Sequence, residues 1–592
     1  MSGLFKNLVQ MFLSQAEKFS DREMLLYKNN GKYVPITWSE CVNHVARVSL
    51  VLDRLGIQKG DKVCLLARNR PEWVYIDFAA LSIGAAIVPI YLSTSTADIS
   101  FITSNSNAKI AFVEDDVMAA RLAELKNKKN INIKIIGLDG VHVDKVDHLL
   151  SDLLEKSRSS LHEWKVGLKD KTDAVQSTDL ATLIYTSGTT GNPKGVKLSH
   201  ENFLHNCSSV ASVVPVRHND LHLSFLPLSH VFERMAGYYF VLMMGGAIAY
   251  AESIETVGEN LEEVSPTICT CVPRVFEKIK LKMLSKASPL QKKIILFASW
   301  TGCQYKLRNK KLLFPIYQLM NLLVYRKVKQ KMGGRINFFI SGGAPLVREI
   351  AEFFYGLGIL IIEGYGLTET SPVICCNTPA SFKFGTVGKP IPGLEVRIAE
   401  DGEICVRGKS VMMGYFKNDE ATQEVIRDGW FYTGDIGEFD ADGFLKITDR
   451  KKDLIKTSGG KMVAPQRIEN LIKDSPYINQ IVVCGDKRKF LTALVVPNYE
   501  ALTDVMVSRG IHVTDRKSLT RDSRAINFIK DEIDAKTVQL AHYEKIQYIA
   551  LLDNDFTQEN GELTPTLKVK RRLIQERFKT ILDKLYALAE KN

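Results

Sequence analysis

A chain of 592 residues is longer than one hydrophobic core can organise, so at least two domains are expected. Its residues are 45% hydrophobic and 24% charged, the mix of a globular protein; no low-complexity tract, solenoid-length repeat or bilayer-long apolar run is present, which excludes disordered, repeat and membrane-spanning classes. The net charge of +11 is uneven: between Glu277 and Glu349 sixteen lysines and arginines occur without one acidic residue, interleaved with Phe, Trp, Tyr and Leu. Such a segment suits an anionic membrane surface. Nucleic acid is not expected, since no recognition motif accompanies it, and the bland alternative is the solvated face of buried helices.

The N-terminal "MSGLFKNLVQMFLSQAEKF" is amphipathic and reads as a first helix, not a signal peptide. "TWSE" places Thr37 and Glu40 as a capping box. Val45, Val48, Leu52 and Leu55 follow at helical spacing, and Gly56 stops the run. "KVCLLA" reads as a buried strand, "PEWVYIDFAALSIG" as a helix opened by Pro71 and closed by Gly84, and "AAIVPIY" and "AKIAFVE" as further strands. Alternating strand and helix units predict an α/β fold with mostly parallel, helix-covered sheets. After about residue 450 the texture changes. "YINQIVVCGDKRKFLTALVVP" predicts a hairpin turning near Gly485 and Asp486. The expected organisation is a large domain over 1–449 and a small mobile α+β domain over 450–592, joined through "DRKKD". Ten scattered cysteines without a CxxC pair point to a reducing, cytoplasmic location, with a peripheral seat on a membrane left open.

"LIYTSGTTGNPKGVKLSH" places small and hydroxyl residues between two strands. Backbone N–H groups of such a loop converge on an anion, and Lys194 adds positive charge. It is not a Walker A loop: Pro193 precedes the lysine and Gly195 follows it. Two other candidates fail. "RGKS" (407–410) has Glu403 where the first glycine of that motif belongs, and "GLGILI" from Gly356 lacks the third glycine of a dinucleotide fingerprint.

"YTSGTTGNPKGV" resembles the phosphate loop of the adenylate-forming superfamily, and further motifs of that superfamily follow in order over essentially the whole chain. The resemblance implies that Thr186, Ser187, Gly188, Thr189, Thr190, Gly191 and Lys194 hold the phosphates of ATP. "SFLPLSHVFER" resembles the border of a carboxylate pocket, with His230 in it. "FFISGGAPL" and "EGYGLTET" resemble the nucleotide motifs. They imply Gly343, Ala344, Glu363, Gly364 and Tyr365 around the adenine, Thr368 at the α-phosphate, and Mg²⁺ held by Glu369 with Thr186. A carboxylate beside phosphates is the ordinary Mg²⁺ arrangement. "FYTGD" implies a ribose-binding Asp435. "KITDRKKDLIKTSGG" implies Ile447 and Arg450 at the nucleotide, Lys452 as hinge, and Gly459 along the pantetheine channel of coenzyme A. "ELTPTLKVKRR" stands where the family has its catalytic lysine. It departs from the commoner form, with Leu567 before Lys568, and its threonine–proline version resembles long-chain fatty acyl members.

The activity implied is ATP-dependent conversion of a long-chain fatty acid to acyl-CoA through an acyl adenylate, with His230, Thr368, Glu369 and Lys568 catalytic. Alternatives of the same superfamily are a medium-chain or aryl acid ligase. One from another class is a silent fatty-acid or nucleotide sensor on membranes. A dimer stays open at this stage.

Overall fold

A computed structural model describes residues 5–129, 131–157, 161–186, 192–473, 475–557, 560–563 and 569–589. The local expectations hold where the chain's own chemistry dictates them. Thr37 accepts the Glu40 N–H at 3.2 Å while Glu40 reaches back to the Thr37 N–H at 2.7 Å, opening the helix Trp38–Arg54; Gly56, at φ +82°, follows its end. Pro71 starts the helix Pro71–Ser82, where its missing N–H costs nothing.

Two sheets make the scaffold. A nine-stranded sheet runs in the order Lys389–Pro390, Val373–Cys376, Ile361–Gly366, Phe338–Ser341, Ile268–Cys271, Leu221–Ser224, Ala247–Tyr250, Glu23–Asn29, Lys32–Thr37. Its inner strands pair in parallel and its edges antiparallel. A seven-stranded sheet runs His148–Leu149, Lys134–Gly137, Ile110–Val113, Lys62–Leu66, Ala86–Pro89, Leu180–Thr186, Lys194–Ser199, parallel up to its last, antiparallel pair. The inner strands are buried on both sides, which explains why their sequences run apolar without alternation. An antiparallel five-stranded sheet, Leu394–Arg450, sits on this scaffold and shares its hydrophobic core.

Beyond it a second core forms around Ile455, Ile468, Val483, Val495, Ile529 and Ile549. Its sheet contains the expected hairpin, Ile478–Cys484 with Leu491–Pro497, joined by the parallel strand Ile546–Leu551. All ten cysteines are free thiols.

The basic segment folds as helices, chiefly Pro289–Lys306, Phe314–Met320 and Arg326–Lys331, outside the nine-stranded sheet. Pro289–Lys306 is held against the helix Arg348–Gly356 by backbone contact. A Cβ on Gly302 would lie 1.9 Å from the Gly356 carbonyl oxygen, and one on Gly356 would lie 2.0 Å from that of Ser299. Of the 22 large hydrophobic side chains exposed in the described residues, 13 fall between Leu281 and Leu323, with Leu312 96% exposed. None of the described helices is long and apolar enough to cross a membrane.

Candidate active site

A cavity of about 760 Å³ opens where the two large sheets meet the five-stranded one. The strands Leu180–Thr186 and Lys194–Ser199 pair so that Thr186 and Lys194 face each other at the open end, and both line the cavity. Ser187, Gly188, Thr189, Thr190 and Gly191 lie outside the described residues. The Lys194 ammonium sits 5.0 Å from the centre of the Tyr415 ring, and the Tyr415 hydroxyl donates to Glu369 Oε1 at 2.9 Å. Burial and the neighbouring Glu369 carboxylate push the Tyr415 phenol well above its ordinary range, so it remains a donor.

Tyr415 is the residue that sequence reasoning missed. It arrives through backbone pairing: Phe416 N–H donates to Gly195 at 2.7 Å, and Lys197 N–H donates to Gly414 at 3.0 Å. A lone tyrosine in "MMGYFKN" carries no spacing signal; only its position after Gly414 hints at a special turn.

Glu369 and Thr368 stand in the short turn that follows the strand Ile361–Gly366, and both line the cavity. No cluster of three or more His, Cys, Asp or Glu side chains that could hold a metal occurs among the described residues. Glu369 with the hydroxyls of Thr186 and Thr368 is nevertheless the donor chemistry of a Mg²⁺ ion that brings its other ligands as phosphate oxygens and water. The residues therefore fit the ion.

Gly343, at φ +78°, Glu363, Gly364 and Tyr365 line the next part of the wall, while Ala344 follows Gly343 outside the lining. The Tyr365 hydroxyl donates to Asp435 Oδ2 at 2.8 Å, and Arg450 Nε lies 3.0 Å from Asp435 Oδ1. Asp435 and Arg450 are register partners on adjacent strands, so this pairing is fixed by the sheet. Asp435 itself is buried behind Tyr365 and Arg450, and its carboxylate keeps the Arg450 guanidinium charged at the cavity wall. Lys452 lines the cavity, beside Lys451, which is taken up by Asp401 at 2.5 Å and Glu403 at 2.7 Å.

Ile447 lies inside the strand Leu445–Arg450 opposite Gly437, packed on the main core and away from the cavity. Gly459 sits in the exposed turn between Ile455–Lys456 and Met462–Val463, also outside the lining. Lys568 lies outside the described residues. The chain on either side is closed by a bridge between Leu563 and Val569 and by the Lys570 N–H donating to the Glu562 carbonyl at 2.8 Å.

At its other end the cavity turns apolar, walled by Val210, Val214, Phe232, Met235, Phe240 and Ile340. His230 stands between the polar and apolar parts of the chain's lining, its Nδ1 accepting the Phe232 N–H at 3.2 Å. That bond leaves Nε2 to carry the proton of the neutral ring.

Glu363 is buried on the cavity wall, and burial raises its carboxyl to about 8 despite one backbone donor, the Leu346 N–H at 3.0 Å. Its folded-state value lies above its unfolded one, so the folded form binds the extra proton. Stability it contributes is present below about pH 4.5 and is lost as pH rises toward 8. A Glu363→Gln variant should therefore gain thermal stability over the parent as pH is raised from 5 to 8, by at most roughly 1.4 kcal/mol per pH unit. Melting curves of the two proteins that run parallel across this range would refute the assignment.

A polar cleft at the carboxyl ends of parallel strands, continued by an apolar arm, is where an open α/β sheet binds its ligands. The sequence profile of the AMP-binding enzyme family matches residues 12–416, and that of the AMP-binding enzyme C-terminal domain matches residues 452–590. The chain belongs to the AMP-binding enzyme family.

Among its relatives are long-chain-fatty-acid–CoA ligase FadD15 of Mycobacterium tuberculosis, 36% identical over 96% of this chain and 95% of that one. Others are long-chain-fatty-acid–CoA ligase ACSBG2 of Gallus gallus, 32% identical over 98% and 81%, and long chain acyl-CoA synthetase 2 of Arabidopsis thaliana, 31% identical over 98% and 92%. Solved structures share the fold. The adenylation domain of a carboxylate reductase from Mycobacterium chelonae superposes with a TM-score of 0.76 at 21% identity, covering 99% of this chain and 92% of that one. The anthranilate CoA ligase AuaEII does so with a TM-score of 0.73 at 19% identity, covering 98% of both.

Proposed function

We propose that this protein is an AMP-forming ligase that joins long-chain fatty acids to coenzyme A. The observation that carries this reading is one cavity in which Thr186, Lys194, Glu369 and Arg450 gather at a polar end while Val210, Val214 and Phe240 wall an apolar arm. The full-length similarity to fatty acyl-CoA ligases supports the choice of acid. A long apolar arm gains about 0.8 kcal/mol per methylene buried, enough to favour long chains without separating neighbouring lengths.

In the first step a carboxylate oxygen of the acid attacks the α-phosphorus of ATP. The bond to the β-phosphate oxygen breaks, and pyrophosphate leaves. In the second, the CoA thiol gives up its proton to solvent, its sulfur attacks the acyl carbon, and AMP departs with the carboxyl oxygen. Lys194, Thr186 and the 187–191 loop hold the phosphates. Tyr365 and the Asp435–Arg450 pair frame the adenosine, and the His230 Nε2–H orients the carboxylate. Mg²⁺, when bound at Glu369 and Thr186, neutralises phosphate charge. Lys568 serves the first step, and the small domain, 450–592, turns on Lys452 to bring the Gly459 turn to the cavity for the second.

The decisive experiment supplies purified protein with ATP, Mg²⁺ and CoA and a series of acids from acetate to very long-chain and aryl types. AMP and acyl-CoA forming together, fastest with long-chain acids, is expected. A preference for short or aryl acids would refute the substrate, and no AMP with any acid would refute the reaction.

The substrate is an amphiphile, and the exposed apolar, basic face of residues 281–323 supports a peripheral seat on an anionic bilayer. A second copy of the chain is disfavoured there, because two such faces repel each other. Cosedimentation with vesicles containing phosphatidylglycerol, absent with purely phosphatidylcholine vesicles and reduced by charge reversal at Lys292, Lys293, Lys310 and Lys311, is the expected result. Equal partition to both vesicle types, or to neither, would refute it.

A further inference from the structure

Glu233 and Arg234 are consecutive, oppositely charged and both wholly buried in the π-helical turn Glu233–Tyr239. A charge taken out of water must find a partner, and these two find theirs in opposite directions. Glu233 Oε1 accepts from Ser224 Oγ at 2.6 Å and lies 3.0 Å from His222 Nε2, and Oε2 accepts from the Thr270 hydroxyl. His222, Ser224 and Thr270 sit on neighbouring strands of the nine-stranded sheet.

Arg234 reaches the other way. Its Nη1 donates to Thr182 Oγ1 at 2.7 Å, on the seven-stranded sheet, and its Nη2 donates to Asp77 of the helix Pro71–Ser82. The Thr182 hydroxyl in turn donates to the Ile87 carbonyl at 2.6 Å, and Tyr239 closes the circuit by accepting from Arg234 and donating to Asp77 at 2.7 Å. Glycine at 237 is required for the first of these links. A Cβ there would stand 2.5 Å from Glu233 Oε1 and 2.7 Å from His222 Nε2.

Between and beside these anchors, Phe232, Met235 and Ala236 line the cavity. A π turn is unfavourable on its own and persists where surrounding contacts over-determine it. Two opposed hydrogen-bonded anchors on adjacent residues over-determine this one.

We infer that Glu233 and Arg234 are positioning residues for acyl-chain recognition: by fastening one π turn to both sheets they set Phe232, Met235 and Ala236 against the apolar arm and so decide which acids fit, without touching the acid. The inference rests on the reading of that arm as the acyl site. Among the described residues, the side-chain hydrogen-bond partners of Glu233 (His222, Ser224, Thr270) and of Arg234 (Thr182, Asp77, Tyr239) do not include Thr186, Lys194, Thr368 or Glu369, so an effect on the acid is separable from one on the nucleotide.

The test measures KM and kcat for an eight-carbon and a sixteen-carbon acid, and KM for ATP, in the parent protein and in Glu233→Gln, Gly237→Ala and Arg234→Gln. The expected result is a rise in KM for the longer acid relative to the shorter by about tenfold, the scale of a small misfit in an apolar pocket, with KM for ATP within about twofold of the parent. Arg234→Gln strands the Asp77 carboxylate, so the double variant Asp77→Asn/Arg234→Gln should move the ratio back toward the parent value. It also serves should Arg234→Gln fail to fold. An equal loss for both acids, or an unchanged ratio with no recovery in the double variant, would mean a purely structural role and overturn the inference. A parent protein inactive on every fatty acid would instead overturn the reading of the arm.

Discussion

A Lys568→Ala variant is expected to lose acyl-adenylate formation by about two to three orders of magnitude, the usual cost of removing one preorganised charge-stabilising group from a water-poor site. In the proposed mechanism the negative charge that develops as the acid attacks the α-phosphorus meets Lys194, which is held over the Tyr415 ring at the end of a paired strand. Arg450 and Lys452 also line the cavity, and the proposed mechanism adds Lys568 to them for the first step. The same variant should make thioester from preformed acyl adenylate and CoA at close to the parent rate. Pyrophosphate exchange reads the first step, and thioester release from the adenylate reads the second. Equal loss in both would remove Lys568 from its assigned step.

Glu369→Gln should lower the rate of adenylation by about a hundredfold or more and raise the Mg²⁺ concentration needed for half-maximal activity. The amide keeps the volume and can still accept the Tyr415 hydroxyl bond of 2.9 Å, so the turn at 368–370 need not move. What disappears is the charge. Removing the hydroxyl instead, with Tyr415→Phe, should cost about tenfold or less, since the carboxylate remains and loses one hydrogen bond worth about 1 kcal/mol net. An unaltered Mg²⁺ dependence in Glu369→Gln would separate this carboxylate from the metal.

The elements were readable where one short stretch contains its own cause. The Thr37–Glu40 box, Pro71 and the turn after Cys484 each specify their backbone through local hydrogen bonds, a fixed φ or a hairpin reversal, and all three are realised. Thr186, Lys194, Tyr365, Thr368, Glu369 and Arg450, which line one cavity, were legible through the resemblance of their motifs to the adenylate-forming superfamily, a signal carried by motif order and not by local physics. The remainder depends on chain segments far apart in sequence. Tyr415 enters by pairing with the strand Lys194–Ser199, and no pattern within "MMGYFKN" announces it. In "HVFER" the histidine carries the motif resemblance, while the last two residues acquire their meaning only with both sheets in place, when their opposite anchorages exist. Arg274, likewise, hydrogen-bonds the Asn479 side chain and carbonyl of the second core, a contact with no local signature.

The touching backbones of Gly302 and Gly356 leave no side-chain cushion between the outer helix and the one behind it. Side chains can repack when pushed; two carbonyl-to-glycine contacts cannot. The helix Pro289–Lys306 is therefore a stiff outrigger, and Arg348–Gly356 connects it within a few residues to the Gly342–Gly343 wall of the cavity. On the proposed peripheral seat, the bilayer under the outrigger would set the tilt of the cavity relative to the membrane, much as a keel fixes the heading of a hull.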